Sequence, residues 1–266
     1  MKHYFTESPV IIGGVGGSGT RAVTELLKRG AYFMGNDLNE SNDNMQLAHY
    51  FPKFRRIIQN KETLFEKVSR FPGKLIKGNK TYKQTYIHNS LCDFEKQMYD
   101  DWKDLSLENT SWGWKIPGNF LILDILADHY RGLKYIHTIR HGLDMAFSKN
   151  QNQLRNWGDY YGISTHVIAL PKVALSYWIK ANKKAIQDAR DILKNRFLLL
   201  NFDRMCINPE NEIRKMIEFL GCDDIINHIE IIKKPKTIER YKSEDLSIFS
   251  DSEIDEVKQL GFDCEI

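Results

Sequence analysis

Cysteine is scarce in this sequence and badly placed for cross-linking. Cys92, Cys206, Cys222 and Cys264 are the only four, far apart and without a C-x-x-C pair. That excludes a disulfide framework and a cysteine-based zinc site, and reads as the reduced thiols of a cytoplasmic protein. Long apolar runs are also missing. No stretch approaches the roughly 18 residues that a membrane span needs, and the polar segment Met1–Ser8 lacks the apolar region of a signal peptide. The formal net charge of +3 is too small for a nucleic-acid binder, although local basic clusters suit a small anion. Linkers rich in Gly, Pro or Ser, internal repeats and low-complexity tracts are absent, so one domain over 1–266 is expected. The 42% of hydrophobic residues, with 12% aromatic, is enough to fill a packed core.

The richest signal lies near the start. An apolar run, Val10 to Ile12, breaks into a loop holding Gly13, Gly14, Gly16, Gly17, Ser18 and Gly19. Apolar residues at helical spacing follow, at Ala22, Val23, Leu26 and Leu27. This predicts a strand, a tight turn and a helix N-terminus, whose bare amides and positive dipole end suit a phosphate. Further strands are predicted at Ala31–Met34, Ser111–Lys115, Lys134–Arg140 and Arg196–Phe202. Helices are predicted at Phe120–Ala127, Leu143–Gln151, Val173–Leu193 and Pro209–Leu220, the last with Pro at its start and Gly221 just beyond. The alternation implies an α/β fold of three layers, a parallel sheet with helices on both faces. Residues 38–110 differ: polar, with scattered aromatics and helical pieces at Phe54–Gln59 and Leu64–Val68. They read as a mostly helical insertion covering one end of the sheet.

The glycine loop satisfies several patterns. Gly14-x-Gly16-x-x-Gly19 after a strand and before a helix, with Asp37 placed 18 residues beyond, fits a dinucleotide fingerprint and an NAD(P)- or FAD-dependent oxidoreductase. Gly14 and Gly19 also have Walker A spacing. Thr20 and Arg21 then stand where a kinase needs Lys and Ser/Thr. A nucleophile elbow at Ser18 fails because Thr20 stands where Gly is required.

Ser18-Gly-Thr20 in this setting resembles the 5′-phosphosulfate loop of sulfotransferases that use 3′-phosphoadenosine 5′-phosphosulfate (PAPS). A second segment, Tyr135-Ile-His-Thr-Ile-Arg-His-Gly-Leu-Asp-Met-Ala-Phe-Ser148, resembles that family's 3′-phosphate motif, with Ser148 eight residues after Arg140. A guanidinium at a strand end can fork onto a phosphate, and a helical hydroxyl can join it. Trp112-Gly-Trp-Lys-Ile-Pro117 is similar to the family's W-G-x-K-x-P segment. Leu200–Asp203, Asn208–Glu210 and Glu218–Gly221 are similar to its later motifs, with Phe202 where Tyr is usual. Pro235–Tyr241 resembles the basic segment that closes over the nucleotide.

The resemblance implies a P-loop-like fold and sulfuryl transfer from PAPS to a hydroxyl or amine, leaving adenosine 3′,5′-bisphosphate (PAP), with no metal. It implies nucleotide contacts from Gly16, Gly17, Ser18, Gly19, Thr20, Arg21, Arg140, Ser148 and Arg240. Family members usually carry Lys or Arg where this chain has Gly17, so Lys115 or Arg21 is expected to supply the cation. That departure also leaves open a protein that holds PAP without turnover. Of Asp37, Glu40 and Asp43, with His49 beyond, Asp37 and Glu40 are the expected bases. His137 and His141 flank a strand end and are not expected to share a metal. The acceptor is a small molecule, a glycan or a lipid.

Overall fold

The computed structural model describes residues 3–30, 32–59, 82–105, 111–164 and 170–264. Its sheet is wholly parallel, in the order β2-β3-β1-β4-β5. The strands are β1 (Val10–Gly14), β2 (Tyr32–Phe33), β3 (Ser111–Lys115), β4 (Lys134–Ile139) and β5 (Phe197–Asn201). The helices are α1 (Thr20–Arg29), α2 (Met45–Ala48), α3 (Phe51–Gln59), α4 (Tyr82–Asp104), α5 (Leu123–His129), α6 (Gly142–Ala146), α7 (Asn152–Trp157), α8 (Pro171–Leu193), α9 (Phe202–Ile207), α10 (Pro209–Leu220) and α11 (Asp251–Gln259).

Alternation along the strands divides the interior into two cores. Val10, Ile12, Ile136 and Leu200 face α1 and α10, meeting Val23, Leu26, Ile213 and Met216. Ile11, Trp114, Tyr135 and Ile139 face the other way, toward Phe94 of α4, Leu126 of α5 and Trp178 of α8. Two sheet faces and two helical layers give the three-layer α/β architecture that the sequence pattern predicts. The described parts of 38–110 form a loop at 38–44 followed by the helices α2, α3 and α4; the expected piece Leu64–Val68 lies outside the described residues. Among the described residues, no helix is long and apolar enough to cross a membrane.

Several element boundaries differ from expectation by a few residues, and two of these bear on the site. The helix after β4 ends at Ala146 rather than Gln151. The Gln151 amide folds back and donates to the carbonyls of Met145 at 2.9 Å and Ser148 at 2.8 Å, capping the stopped helix. Strand β5 ends at Asn201, whose side chain accepts the Arg204 N–H at 3.0 Å and starts α9 one residue early.

One core histidine gives the fold an acid limit. His137 is fully buried; its Nε2 donates to Asn182 Oδ1 at 3.0 Å and its Nδ1 accepts from the Tyr135 hydroxyl at 2.9 Å. Burial depresses its pKa from 6.5 to about 4, against the smaller support of Asn182. Between these values the unfolded chain binds the proton and the folded chain does not, so stability falls as pH drops. Chemical denaturation is expected to lose on the order of 3 kcal/mol between pH 6.5 and 4, and His137→Gln should flatten most of that slope.

Candidate active site

The chain leaves β1 through α1 toward β2 and later crosses from β3 to β4 on the other side of β1. A crevice therefore opens at the C-terminal ends of these strands, where ligands of such sheets bind. The glycine loop turns there. Ser18 N–H donates to Val15 O at 3.0 Å, closing the turn. Gly17 and Gly19 have φ of 93° and 90°, the left-handed region that side chains resist. A Cβ on Gly19 would stand 2.0 Å from the Phe202 ring, so the backbone sits where only glycine fits. No side chain caps α1 and its first turn has no acid. Its leading amides and dipole thus face the crevice without competition.

The crevice has a volume of about 490 Å³ and, among the described residues, gathers Arg21, Lys115, Arg140 and Lys233 against a single carboxylate, Asp43. Lys115, only 1% exposed, reaches from the end of β3 to the Ser41 carbonyl and pairs with Asp43. Burial lowers the Lys115 pKa; Asp43 works against this, and Arg21 adds repulsion. The ammonium is therefore under-compensated, and an anion entering beside it would relieve that.

Arg140 directly follows the last residue of β4 and is buried, 6% exposed. One terminal nitrogen donates to Thr237 O and, at 3.0 Å, to Thr237 Oγ1, and lies 3.5 Å from Asp144 Oδ2. Its Nε is buried with no hydrogen-bond partner, which is costly for a charged donor. Asp144 is fully buried and accepts the N–H groups of Glu239 at 2.8 Å and Tyr241 at 3.2 Å. Arg140 and Asp144 together tie down the C-terminal segment, whose Lys233 and Pro235 line the crevice.

The expected site residues thus divide. Gly16, Gly17, Gly19, Thr20, Arg21, Lys115 and Arg140 line one cavity. Ser18 does not: 1% exposed, its hydroxyl bonds Thr138 Oγ1 at 3.0 Å and pins the loop to β4. Ser148 is not two turns inside a helix, because α6 has already ended, and it does not line the cavity; its Oγ accepts the Asn150 N–H at 3.3 Å. Arg240 turns back to Thr237 O at 3.2 Å, its pKa lowered by burial and then by Arg140. Asp37 and Glu40 are exposed and outside the lining; Asp43 faces Lys115. His137 and His141 diverge, His141 Nε2 donating to Asp263 O at 3.0 Å.

Asn150, Asn152 and Gln153 also line the cavity, as does Phe202, none of them chosen from sequence. Phe202 could have been found from the family's usual Tyr at that place. The three amides carry no comparable signal.

The sulfotransferase family model matches residues 9–225. The chain belongs to this family. Membership selects among the readings of the glycine loop, against the dinucleotide and kinase alternatives. No curated protein matches the chain significantly. Solved structures resemble it at low identity. The sulfotransferase domain of the Synechococcus PCC 7002 olefin synthase has TM-score 0.53 and 12% identity, over 100% of both chains. That of the curacin biosynthetic pathway has TM-score 0.53 and 11% identity, over 97% of this chain and 99% of that one. The sulfotransferase STF1 from Mycobacterium tuberculosis H37Rv has TM-score 0.50 and 14% identity, over 85% and 72%. These likenesses agree with the sulfotransferase fold.

Proposed function

We propose that this sulfotransferase takes its sulfuryl group from PAPS and delivers it to a hydroxyl or amine of a small molecule, glycan or lipid. The observation that carries the donor is Arg140 Nε, a buried cationic donor without a partner beside the uncapped α1 N-terminus. Two anion positions within one cleft match a nucleotide bearing separate 3′- and 5′-phosphates. Arg140 would hold the former; the glycine loop, Thr20 and Arg21 the latter. When bound, PAPS supplies a sulfuryl group joined to its 5′-phosphate through a bridging oxygen.

Transfer would make one S–O or S–N bond to the acceptor, break the bridging S–O bond and free the acceptor proton. By analogy with phosphoryl transfer, catalysis is mainly positioning and charge stabilisation. Lys115 would stabilise charge on the leaving oxygen, the task that Gly17 cannot perform. Asp43, rather than Asp37 or Glu40, would accept the proton, being the carboxylate in the cleft. We read 1–266 as one domain, with 38–110 forming the acceptor-side cover and contributing Ser41 and Asp43. The free thiols suit the reducing cytoplasm.

A thermal-shift titration with PAP, ADP, ATP and NAD tests the donor. PAP at a hundred times its Kd should stabilise by roughly 2.7 kcal/mol, raising Tm by a few degrees at this size. A shift with NAD alone would overturn the reading. Gly17 favours a second reading, PAP binding without turnover; radiolabelled PAPS that is bound but transferred to no acceptor in a broad panel would support it.

A further inference from the structure

At the opposite ends of the strands, roughly 17 Å of β1 away from the glycine loop, a second cleft of about 480 Å³ opens beneath the N-terminal segment. Three side chains from distant parts of the chain converge in it. His3 Nδ1 lies 3.0 Å from Glu95 Oε2, His129 Nε2 lies 3.9 Å from the same oxygen, and all three atoms fall within 4.8 Å of one another. The His3 and His129 rings stand at 87° with centroids 5.4 Å apart. We propose that this cluster binds a zinc ion through His3 Nδ1, Glu95 Oε2 and His129 Nε2, with the cleft open to a fourth ligand.

One hydrogen bond and one charge contact behind the cluster prepare those atoms for a metal. His129 Nδ1 lies 2.9 Å from His88 Nδ1, and His88 Nε2 lies 3.3 Å from Asp128 Oδ2. With a proton on His88 Nε2 facing the carboxylate, His88 Nδ1 accepts and His129 Nδ1 donates. That tautomer leaves the lone pair on His129 Nε2, a buried atom with no hydrogen-bond partner. Such a carboxylate–histidine relay is the usual outer support of a metal-bound imidazole. Glu95, 2% exposed, is held in place by the Tyr4 N–H, which donates to its Oε1 at 2.7 Å and leaves Oε2 facing the two imidazoles.

Bonds of about 2.0–2.2 Å in tetrahedral geometry need ligand atoms roughly 3.3 Å apart, against separations here of 3.0 Å, 3.9 Å and no more than 4.8 Å. Two imidazoles and one carboxylate with an open position favour zinc over the oxygen-seeking calcium and magnesium. The ion would clamp residues 3–8 onto α4 and the end of α5. Separations of 92 and 34 residues between the ligands explain why no spacing motif announces the site.

The test is a zinc titration of chelator-treated full-length protein against a competing chromophoric chelator, independent of any nucleotide. One equivalent per chain with submicromolar Kd is expected. His3→Ala changes a half-exposed terminal residue and should fold normally; it and His129→Gln should each weaken binding at least tenfold. Asp128→Asn, which only supports the relay, should weaken it by roughly ten- to a hundredfold. Fewer than one equivalent, or binding unchanged in both His3→Ala and His129→Gln, would overturn the site.

Discussion

Lys115→Met is expected to lower kcat by roughly 10²–10³-fold, the usual loss on removing one preorganised charge from a developing anion, while the Kd for PAP moves only a few-fold. The substitution keeps the stem's volume, so the packing around β3 survives. What disappears is a buried ammonium in the cleft, already held below its ordinary pKa. Asp43 loses its partner but is 24% exposed at its side chain and can turn to water, so folding should be little affected. Steady-state kinetics with a fixed acceptor, beside calorimetric PAP binding, make the check. Equal losses in kcat/KM and in PAP affinity would make Lys115 a ground-state binding group instead.

The second large effect concerns specificity for the nucleotide. Arg140→Ala should raise the Kd for PAP at least 100-fold, about 2.8 kcal/mol, while ADP, which lacks a 3′-phosphate, should change far less. Arg140→Lys should recover little, because an ammonium cannot serve Thr237, Asp144 and a phosphate from one rigid fork. Thermal unfolding should run alongside, since the variant leaves Asp144 buried without its cation, a change that destabilises by about 3–5 kcal/mol when the pair is fully buried. Equal losses for PAP and ADP would show that Arg140 acts only through the fold.

The parts of the site that depend on local pattern could be read directly from residues. An apolar run, a glycine turn and a helical stripe are contiguous, so β1, the loop and α1 follow from one short segment. Arg140 was legible because it stands directly after a strand. The choice among Asp37, Glu40 and Asp43 was not, because it turns on one loop. Asn39 Oδ1 accepts the N–H groups of Ser41 and Asp43, both at 2.9 Å, and Asn42 adopts a left-handed φ of 61°. That fold of the loop sends Asp43 toward Lys115 and leaves Asp37 and Glu40 in solvent. Ser148 was misplaced for a related reason. A side-chain amide three residues downstream ended its helix, and helical periodicity carries no mark of that. The cluster at His3 depends wholly on tertiary approach.

The arrangement of Arg140 has a consequence for the reaction cycle. The same guanidinium that would grip the nucleotide already holds Thr237, and its neighbour Asp144 holds Glu239 and Tyr241. Entry and departure of the nucleotide therefore cannot be separated from the set of the C-terminal segment that flanks it. On the proposed binding mode, release of the spent nucleotide would be coupled to that anchorage.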